Sequence, residues 1–580
     1  MSAARPDTRA TCFDPRVLVF ACNWCSYAGA DTAGVSRLAQ TPHFRLLRVM
    51  CSGRVHPAHV LRAFARGADG VMVSGCHFGD CHYLFGNHRA AEQFEKTRAL
   101  ARLLGLAEDR LRLEWISAAE GIRFAETMND FVARVRALGP SPLAPGETPP
   151  VTDADAAPRE LGASGALRCL ECGRCTAVCP LARHQRFSPR RLLSCAAALG
   201  LDRVARDAAL WTCLTCGQCQ AVCPAGVDYP RFILAARARA VADGGGPFAA
   251  AAGSATATTA ANALVPCSHG GVFEQIAILA SRPGLRQSRL GWVAPDARIH
   301  AVPEGGRAEV DELFFAGCSP YFAAYFGGRV GETLTASLRA SIRLLNRAGV
   351  VPALLENERC CGNPLRLAGR LGEATALEAR VAEQIRASGA RRVITACPEC
   401  LVALRGIAAR HGGGFEVVHL STRLAGSPAA RRAAGAPARG ERVTFQDPCR
   451  LGRYAGLYDP PRQLLREAGG FTLVEMEHTR ETAICCGNTA WIHCNAATQS
   501  FQRARLAEAA ATGGTLVTAC PGCLVHLSCA QQALAGTPEG EVRIADLWAL
   551  LAGPGPEGDP GAPSQSDIGE DVTRDPQPTA

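Results

Sequence analysis

Two cysteine-rich stretches in the C-terminal half of the chain repeat one pattern of five thiols. The thiols are Cys318, Cys360, Cys361, Cys397 and Cys400 in the first copy, and Cys449, Cys485, Cys486, Cys520 and Cys523 in the second. The closing motifs TACPECLVAL and TACPGCLVHL match at eight of ten positions. An internal repeat predicts two similar domains, each of which must bring five thiols together from distant parts of the sequence.

Apolar β-type runs lead into the thiols of both copies. They are ELFFAGC and RRVITAC in the first copy, and RVTFQDPC and GTLVTAC in the second. This order places the thiols on loops at the carboxyl ends of strands, where open α/β sheets bind their ligands. We therefore predict duplicated α/β domains over residues 311–425 and 441–552.

Five thiols in each copy favour a multinuclear metal site. Adjacent cysteines pair poorly with each other, because a vicinal disulfide strains the dihedral angle and Cα spacing that the bond requires. A mononuclear zinc ion needs only four ligands. Structural zinc remains an alternative, but it leaves one thiol of each copy unused.

At these residues the chain resembles the Cys-Cys-Gly domain family, found in the B subunit of heterodisulfide reductase and in iron–sulfur subunits of glycolate and lactate oxidases. The resemblance implies two noncubane [4Fe-4S] clusters held by the ten cysteines, with a substrate disulfide cleaved between them. Gln446 and Arg450 stand where many relatives have histidines flanking Asp-Pro-Cys. A proton-donor role for those histidines therefore cannot be carried over.

Two further cysteine runs occupy the middle of the chain. Each reads Cys-x2-Cys-x2-Cys-x3-Cys-Pro, with Cys169, Cys172, Cys175 and Cys179 in the first run and Cys213, Cys216, Cys219 and Cys223 in the second. This spacing is typical of two [4Fe-4S] cubanes in which the fourth cysteine of each run binds the other cluster. We therefore predict one set of Cys169, Cys172, Cys175 and Cys223, and another of Cys213, Cys216, Cys219 and Cys179.

The segment between the two runs has apolar residues at helical spacing, which indicates that residues 166–241 form an α-helical ferredoxin. It is similar to the C subunit of heterodisulfide reductase. Cys195 lies on the apolar face of this insert, and we expect it in the core.

Residues 12–138 are predicted to form an α/β domain with a parallel sheet, because β-type runs alternate with helical stretches. The runs RVLVFACNWC, RLLRVMC and GVMVSGCHFGDC carry Cys22, Cys25, Cys51, Cys76 and Cys81. Four thiolates suffice for a small iron–sulfur cluster, and the sequence leaves open which four bind. His77 and His82 permit a mixed site, but we favour surface histidines.

The phrases CNWCSYAGAD, RVMCSGRVHP and GADGVMVSGCHFGDCHY resemble the delta subunit of the methyl-viologen-reducing hydrogenase. That resemblance implies a [2Fe-2S] cluster and electron transfer from a hydrogenase to the flavin subunit of heterodisulfide reductase.

Composition narrows the class of protein further. The chain has 28 cysteines, and its N-terminus lacks the apolar stretch of a signal peptide, so we expect a cytoplasmic protein with reduced or metal-bound thiols. No run of 18 apolar residues predicts a membrane span. The net charge of +9 comes from scattered arginines without lysine-rich blocks, so we expect no nucleic-acid partner.

The remaining segments are predicted to connect the domains. Residues 139–165 read as a linker, residues 242–310 as a linker followed by a stretch of uncertain structure, and residues 553–580 as a disordered tail. Four cysteines outside the patterns are interpreted as incidental or packing thiols: Cys12, Cys267, Cys494 and Cys529. Cys267 and His269 have no further metal ligands nearby in the sequence.

The sequence contains no GxGxxG that opens a βαβ unit, so a common flavin or nicotinamide site is not predicted. We expect a separate flavoprotein partner related to the A subunit of heterodisulfide reductase. A hydrogenase or formate dehydrogenase-type donor would supply electrons, and a small-molecule disulfide would be reduced. Alternatives are an electron conduit to a quinone or flavin, and a zinc-stapled scaffold.

Overall fold

The computed structural model describes residues 13–143, 156–184, 186–245, 268–308, 310–425, 440–468, 470–488 and 494–553. These residues form three parallel sheets and a helical segment. The prediction of a multidomain α/β fold with parallel sheets is confirmed. Cys12, Cys267 and the predicted tail after Gly553 lie outside the described residues.

The N-terminal sheet is parallel and has the strand order β2-β1-β3-β4. Its strands are β1 (Val17–Cys22), β2 (Phe44–Val49), β3 (Gly70–Gly75) and β4 (Leu111–Trp115). Its helices are α1 (Ser26–Val35), α2 (Pro57–Ala65), α3 (Gly86–Leu103) and α4 (Gly121–Ala137). The central strands β1 and β3 are apolar and almost wholly buried, whereas the edge strand β2 is largely exposed. The apolar runs thus set the position of three thiol-bearing loops at one edge of the sheet.

Helices alone form the second domain in its described residues, 156–184 and 186–245. They are α5 (Ala156–Ser164), α6 (Arg174–Ala177), α7 (Pro189–Leu199), α8 (Leu201–Ala205), α9 (Gln218–Ala221) and α10 (Tyr229–Ala242). Ser188 and Asp228 begin α7 and α10 by accepting hydrogen bonds from backbone N–H groups of the first turn. Helix α5 falls inside the segment predicted as a linker, and Ala157 on it packs against Ala238 of α10.

The first cysteine-rich domain has a five-stranded parallel sheet of order β5-β7-β6-β8-β9. Its strands are β5 (His300–Val302), β6 (Glu312–Phe315), β7 (Ala353–Leu355), β8 (Arg392–Thr395) and β9 (Glu416–His419). Its helices are α12 (Ser319–Phe326), α13 (Gly328–Arg347), α14 (Asn363–Leu367), α15 (Leu371–Ala387), α16 (Pro398–Arg410) and α17 (Leu420–Ala425), preceded by α11 (Val272–Ala280). Helix α11 and strand β5 lie in the stretch predicted as uncertain, so this domain's sheet begins before residue 311.

The second cysteine-rich domain has a four-stranded parallel sheet of order β11-β10-β12-β13. Its strands are β10 (Arg442–Gln446), β11 (Thr472–Leu473), β12 (Thr515–Thr518) and β13 (Ile544–Asp546). Its helices are α18 (Asp459–Gln463), α19 (Ala496–Thr512), α20 (Pro521–Ala533) and α21 (Leu547–Ala552). All four β-type runs that the sequence places before thiols form strands, namely β6, β8, β10 and β12.

The domains pack on one another through buried polar contacts. His56 Nε2 lies 2.9 Å from the Tyr325 hydroxyl, which joins the N-terminal domain to the first cysteine-rich domain. Arg237 of α10 is fully buried and donates to Leu367 O at 2.9 Å and to Cys213 O at 2.8 Å. Among the described residues no helix has the length and apolar character to cross a bilayer.

Candidate iron–sulfur sites

The N-terminal thiols meet where β1, β2 and β3 end. The sulfur atoms of Cys22, Cys25 and Cys76 all lie within 4.8 Å of one another. Cys51 and Cys81 are also buried, and both sulfurs approach Gly86, where a Cβ would overlap Cys51 Sγ. A glycine at the start of α3 therefore leaves space for the five thiols to gather.

The electrostatics of this set favour a thiolate. A hydrogen bond with Cys25 lowers the pKa of Cys22 to about 6, against the opposing effect of burial. Metal binding requires deprotonated sulfur, so this set suits a metal better than five neutral thiols would. The two nearby histidines have other partners: His77 Nε2 lies 2.6 Å from Glu120 Oε2, and His82 stacks on Trp24 at 3.9 Å.

Two cavities in the helical domain are lined by the cysteines of both runs. The first has Cys169, Cys172, Cys175, Cys219 and Cys223 in its wall. The second has Cys179, Cys213, Cys216 and Cys219. The fourth cysteine of each run thus faces the cavity of the other run, and Cys219 lies between the two.

The loops that hold these cysteines have matching backbones. Glu171 and Thr215 have φ of 53° and 47°, and the glycines two residues later, Gly173 and Gly217, both have φ of 78°. Thr215 N lies 3.3 Å from Cys213 Sγ, and Val227 N lies 3.4 Å from Cys223 Sγ. Amides that donate to sulfur stabilise the negative charge of a thiolate-bound cluster, so the donor set fits iron–sulfur ligation.

The two cavities differ in exposure. Cys172 beside the first is exposed, and the nearby Leu170 side chain is 69 % exposed. Cys213 and Cys216 of the second are buried. Burial raises the pKa of Cys213 to about 11. The wall of the first cavity is therefore more exposed than that of the second, and we refer to them as the open and the closed cavity.

In the first cysteine-rich domain the five thiols form a continuous chain. Cys318 Sγ lies 3.7 Å from Cys360 Sγ, and Cys361 Sγ lies 3.7 Å from Cys400 Sγ. Cys397 is hydrogen-bonded to Cys400 and completes the chain. Gly362 follows the vicinal pair at φ 79°, a conformation that favours glycine, and it begins α14.

The second domain repeats the arrangement. Cys486 Sγ lies 3.2 Å from Cys523 Sγ, and hydrogen bonds join Cys449 to Cys485 and Cys520 to Cys523. Gly487 has φ 82°, close to that of its counterpart. Five adjoining thiols in each domain exceed the four that a zinc ion takes, so the donor set fits a multinuclear iron–sulfur group.

Hydrogen bonds within the second set lower the pKa of one thiol. Cys485, and next Cys523, lower the pKa of Cys486 to about 6, although burial acts in the other direction. One sulfur at the centre of the set is thus already prone to ionise near neutral pH, as a metal ligand must.

Charged residues beside the thiols were not predicted from the sequence. Arg289 donates to Gly317 O in front of Cys318 and stacks on Tyr321 at 4.4 Å, and Glu358 accepts from Ala316 N and Gly317 N at 2.9 Å each. Arg289 lies in the stretch of uncertain structure, and no spacing rule connects it to Cys318. The only sequence signal was Arg450, which stood out as a departure from the family pattern.

Cysteines outside the patterns lie away from these sets. Cys494 and Cys529 are exposed, so the interpretation of both as packing residues is wrong. A helical position with apolar neighbours does not guarantee burial when no element covers that face. Cys195 is half-buried at the edge of the helical core, less enclosed than expected.

Family models match the three kinds of domain. "Methyl-viologen-reducing hydrogenase, delta subunit" matches residues 17–139, "4Fe-4S dicluster domain" matches 165–227, and "Cysteine-rich domain" matches 313–405 and 443–528.

Individual relatives cover different parts of the chain. The iron-sulfur D subunit of the F420-non-reducing hydrogenase of Archaeoglobus profundus is 48% identical over 128 residues, which is 22% of this chain and 93% of the relative. The EtfAB:quinone oxidoreductase of Syntrophomonas wolfei is 31% identical, over 45% of this chain and 37% of the relative. The D subunit of the dihydromethanophenazine:CoB–CoM heterodisulfide reductase of Methanosarcina barkeri is 28% identical, over 46% of this chain and 63% of the relative. Through residues 17–139 the chain therefore belongs to the methyl-viologen-reducing hydrogenase delta subunit family, here joined to a 4Fe-4S dicluster domain and two cysteine-rich domains.

Proposed function

We propose that this protein is the iron–sulfur subunit of a heterodisulfide-reductase-like complex. It would carry electrons from a hydrogenase or another dehydrogenase, through a flavoprotein partner, to a small-molecule disulfide. The observation that carries the proposal is the placement of the closed ferredoxin cavity against the second five-thiol set. Arg453 Nε of that domain donates to Cys216 O at 2.8 Å across the contact.

The thiol sets define the ligands that we assign. Cys22, Cys25, Cys51, Cys76 and Cys81 provide four ligands for a [2Fe-2S] cluster, the two ferredoxin cavities hold cubanes, and the ten cysteines of the cysteine-rich domains hold two noncubane [4Fe-4S] clusters. Such clusters supply one-electron redox chemistry when bound. Reducing one disulfide breaks one S–S bond and consumes two electrons and two protons, which release two thiols.

The chain itself arranges these sites and keeps water from some of them. No more than 6% of the side-chain surface is exposed at Cys213, Cys360, Cys361, Cys485 and Cys486. Arg289 and Arg450, both buried, place positive charge beside the first thiol of each cysteine-rich domain. A buried cation favours the more negative, reduced state of its neighbour, because the Coulomb interaction is strong in a medium of low dielectric.

A partner surface is supported by exposed apolar side chains around the N-terminal thiol set and the open ferredoxin cavity. Met50, Phe78 and Phe85 adjoin the N-terminal cysteines and are 51%, 52% and 62% exposed. Leu167 and Leu170 adjoin the open ferredoxin cavity and are 79% and 69% exposed. Contiguous exposed apolar surface marks interaction sites. We assign these surfaces to a flavoprotein related to the A subunit of heterodisulfide reductase, which would receive electrons at one and deliver them at the other.

The test is metal analysis and turnover of anaerobically purified full-length protein. Loading of every site corresponds to about 18 irons per chain, with acid-labile sulfide and without zinc. We expect a paramagnetic signal that appears only on addition of a disulfide, and reduction of disulfides by the reduced protein. Zinc in the cysteine-rich domains would overturn the proposal. Turnover of quinones alone would favour the electron conduit, which the quinone oxidoreductase relative supports.

A further inference from the structure

The loop of Thr215 is clamped by the second cysteine-rich domain. Thr215 has φ of 47°, which a β-branched residue adopts only under strain, and it is 2% exposed. The Tyr454 hydroxyl donates to Thr215 O at 2.6 Å, and Arg450 Nη2 donates to Thr215 Oγ1 at 2.8 Å. The matching residue of the open cavity, Glu171, is exposed. Contacts from another domain therefore hold the strained loop of the closed cavity.

Arg450 reaches the first cysteine-rich domain as well. Its Nε lies 3.9 Å from Glu399 Oε1, and Glu399 stands between Cys397 and Cys400. Its guanidinium stacks on the Tyr454 ring at 4.1 Å, and its side chain is 8% exposed. One buried cation thus contacts residues beside three thiol sets.

The repeated motif differs where this contact forms. Position 399 is Glu in TACPEC, and its counterpart in TACPGC is Gly522. Glu399 accepts a hydrogen bond from Asn363, whereas a Cβ at Gly522 would overlap the amide of Asn488. The first copy therefore provides a carboxylate toward Arg450, and the second copy has a glycine at the corresponding position.

The charge of Arg450 acts on thiols of two domains. Its guanidinium donates to the hydroxyl of Thr215, two residues after Cys213, and Arg450 directly follows Cys449 in the chain. A fixed cation that favours anionic sulfur also favours the reduced form of a cluster bound there.

The geometry points to Arg450 as a positioning residue. It holds the Thr215 loop and Glu399 against the second cysteine-rich domain, and it makes reduction easier in the closed ferredoxin cavity and at the second five-thiol set. This inference rests on the proposed function for its cofactors, but it concerns their potentials rather than the substrate. Lysine would keep the charge but not the fork that bridges Thr215 and Glu399.

The test is a redox titration of the full-length protein followed by electron paramagnetic resonance. Cys216→Ser and Cys486→Ser identify, by loss, the signals of the two sites. We expect Arg450→Gln to move both midpoint potentials to more negative values, and Arg450→Lys to restore them largely. Arg286→Gln is the matched control, because it removes one positive charge from a side chain that is 89% exposed. Its midpoints should equal those of the wild type.

Electron redistribution between the two sites gives a second readout. It should slow by about tenfold or more in both Arg450 variants, which is the size of the activity loss that follows replacement of outer-shell residues at metal sites. Equal iron content in the Arg450 and Arg286 variants shows that the sites remain filled. The inference would be overturned if Arg450→Gln and Arg286→Gln had the same midpoint potentials. It would also be overturned if Arg450→Gln and Arg450→Lys shifted the midpoint potentials equally.

A failure of the proposed function can be distinguished from a failure of this inference. If the wild type reduces no disulfide but its midpoints respond to Arg450, the proposed function fails and this inference stands. If it reduces disulfides while the midpoints ignore Arg450, the reverse holds.

Discussion

The two cysteine-rich domains hold their thiols alike but place them beside different neighbours. In the first, Cys318 leads directly into α12, and Arg289 from the preceding segment closes the loop. In the second, the residues after Cys449 form an irregular loop that contacts the helical domain through Arg450 and Tyr454. The five-cysteine pattern therefore sets the thiol arrangement, whereas the few residues after the first cysteine set what the site can exchange electrons with.

Replacing a central thiol in each cysteine-rich domain should give the largest difference between the two domains, in the order in which they are reduced. Cys361→Ser and Cys486→Ser each remove one of the vicinal cysteines, and we expect each to lose about four irons and more than 100-fold in disulfide turnover. Only Cys486→Ser should also block reduction of the other cysteine-rich domain, because the route that we propose enters through the second. Rapid-freeze paramagnetic resonance measures this order of reduction. Cys494→Ser, an exposed thiol outside the set, is the control.

An unchanged reduction of the first domain in Cys486→Ser would show that the two domains receive electrons independently.

Loss of a buried arginine should destabilise the second cysteine-rich domain more than the first. Arg462 is 1% exposed and holds Asp447 by two hydrogen bonds of 2.7 and 2.8 Å, so Arg462→Met removes the ion-pair partner of a buried carboxylate and leaves it only the Arg480 backbone N–H. We expect a loss of about 3–5 kcal/mol in the second domain. Arg289→Met should cost the first domain less, about 1–3 kcal/mol. Burial already raises the pKa of its partner Glu358 to about 7, so that carboxyl can take up a proton.

Hydrogen exchange of the strand amides measures each domain separately. Arg391→Met, which removes an exposed ion pair with Asp311, should cost below about 1 kcal/mol. Equal losses for Arg462→Met and Arg289→Met would contradict the difference between the domains.

The smallest effect should be an opposite response to pH. His419 and Asp546 end the last strands of the two sheets, and each accepts a hydrogen bond from a backbone N–H of the next helix. Burial lowers the pKa of His419 from 6.5 to about 3 and raises the pKa of Asp546 from 3.8 to about 6. The stability that depends on neutral His419 is lost as the pH falls below 6.5. The stability that depends on protonated Asp546 is lost as the pH rises from about 4 to 6.

Between pH 7 and 5.5 the first domain should therefore lose about 1 kcal/mol, and between pH 5 and 7 the second should lose about as much. Hydrogen exchange of α17 and α21 against pH measures both. His419→Gln and Asp546→Asn should each flatten one dependence alone. A parallel response of both helices in the wild type would contradict the assignment.

Local sequence predicted the parts of the fold that depend on local order. The β-type runs that precede the thiols became β6, β8, β10 and β12, because apolar and β-branched residues favour a buried parallel strand. Strand β5 has only three residues, and its first two are exposed, so its pairing with β7 carries no sequence signal. Helix α5 was missed for a related reason, since α10 rather than its own periodicity buries it.

The thiol sets could be predicted from local sequence, but the residues around them could not. The spacing of the cysteines indicated which thiols meet, but the contacts made by Arg289, Glu399 and Thr215 depend on how whole domains pack. Arg450 could be noticed in the sequence as unusual, yet its partners lie 51 residues earlier at Glu399 and 235 residues earlier at Thr215. Long-range partners of this kind leave no periodic pattern to read.

The crossed lining of the two ferredoxin cavities bears on how the protein matures. Each cavity takes its last cysteine from the opposite run, Cys223 for one and Cys179 for the other. A nascent chain that has emerged only as far as Cys179 cannot complete either site. Both runs are therefore needed before either site is complete, and a chain cut between the runs should retain neither cofactor.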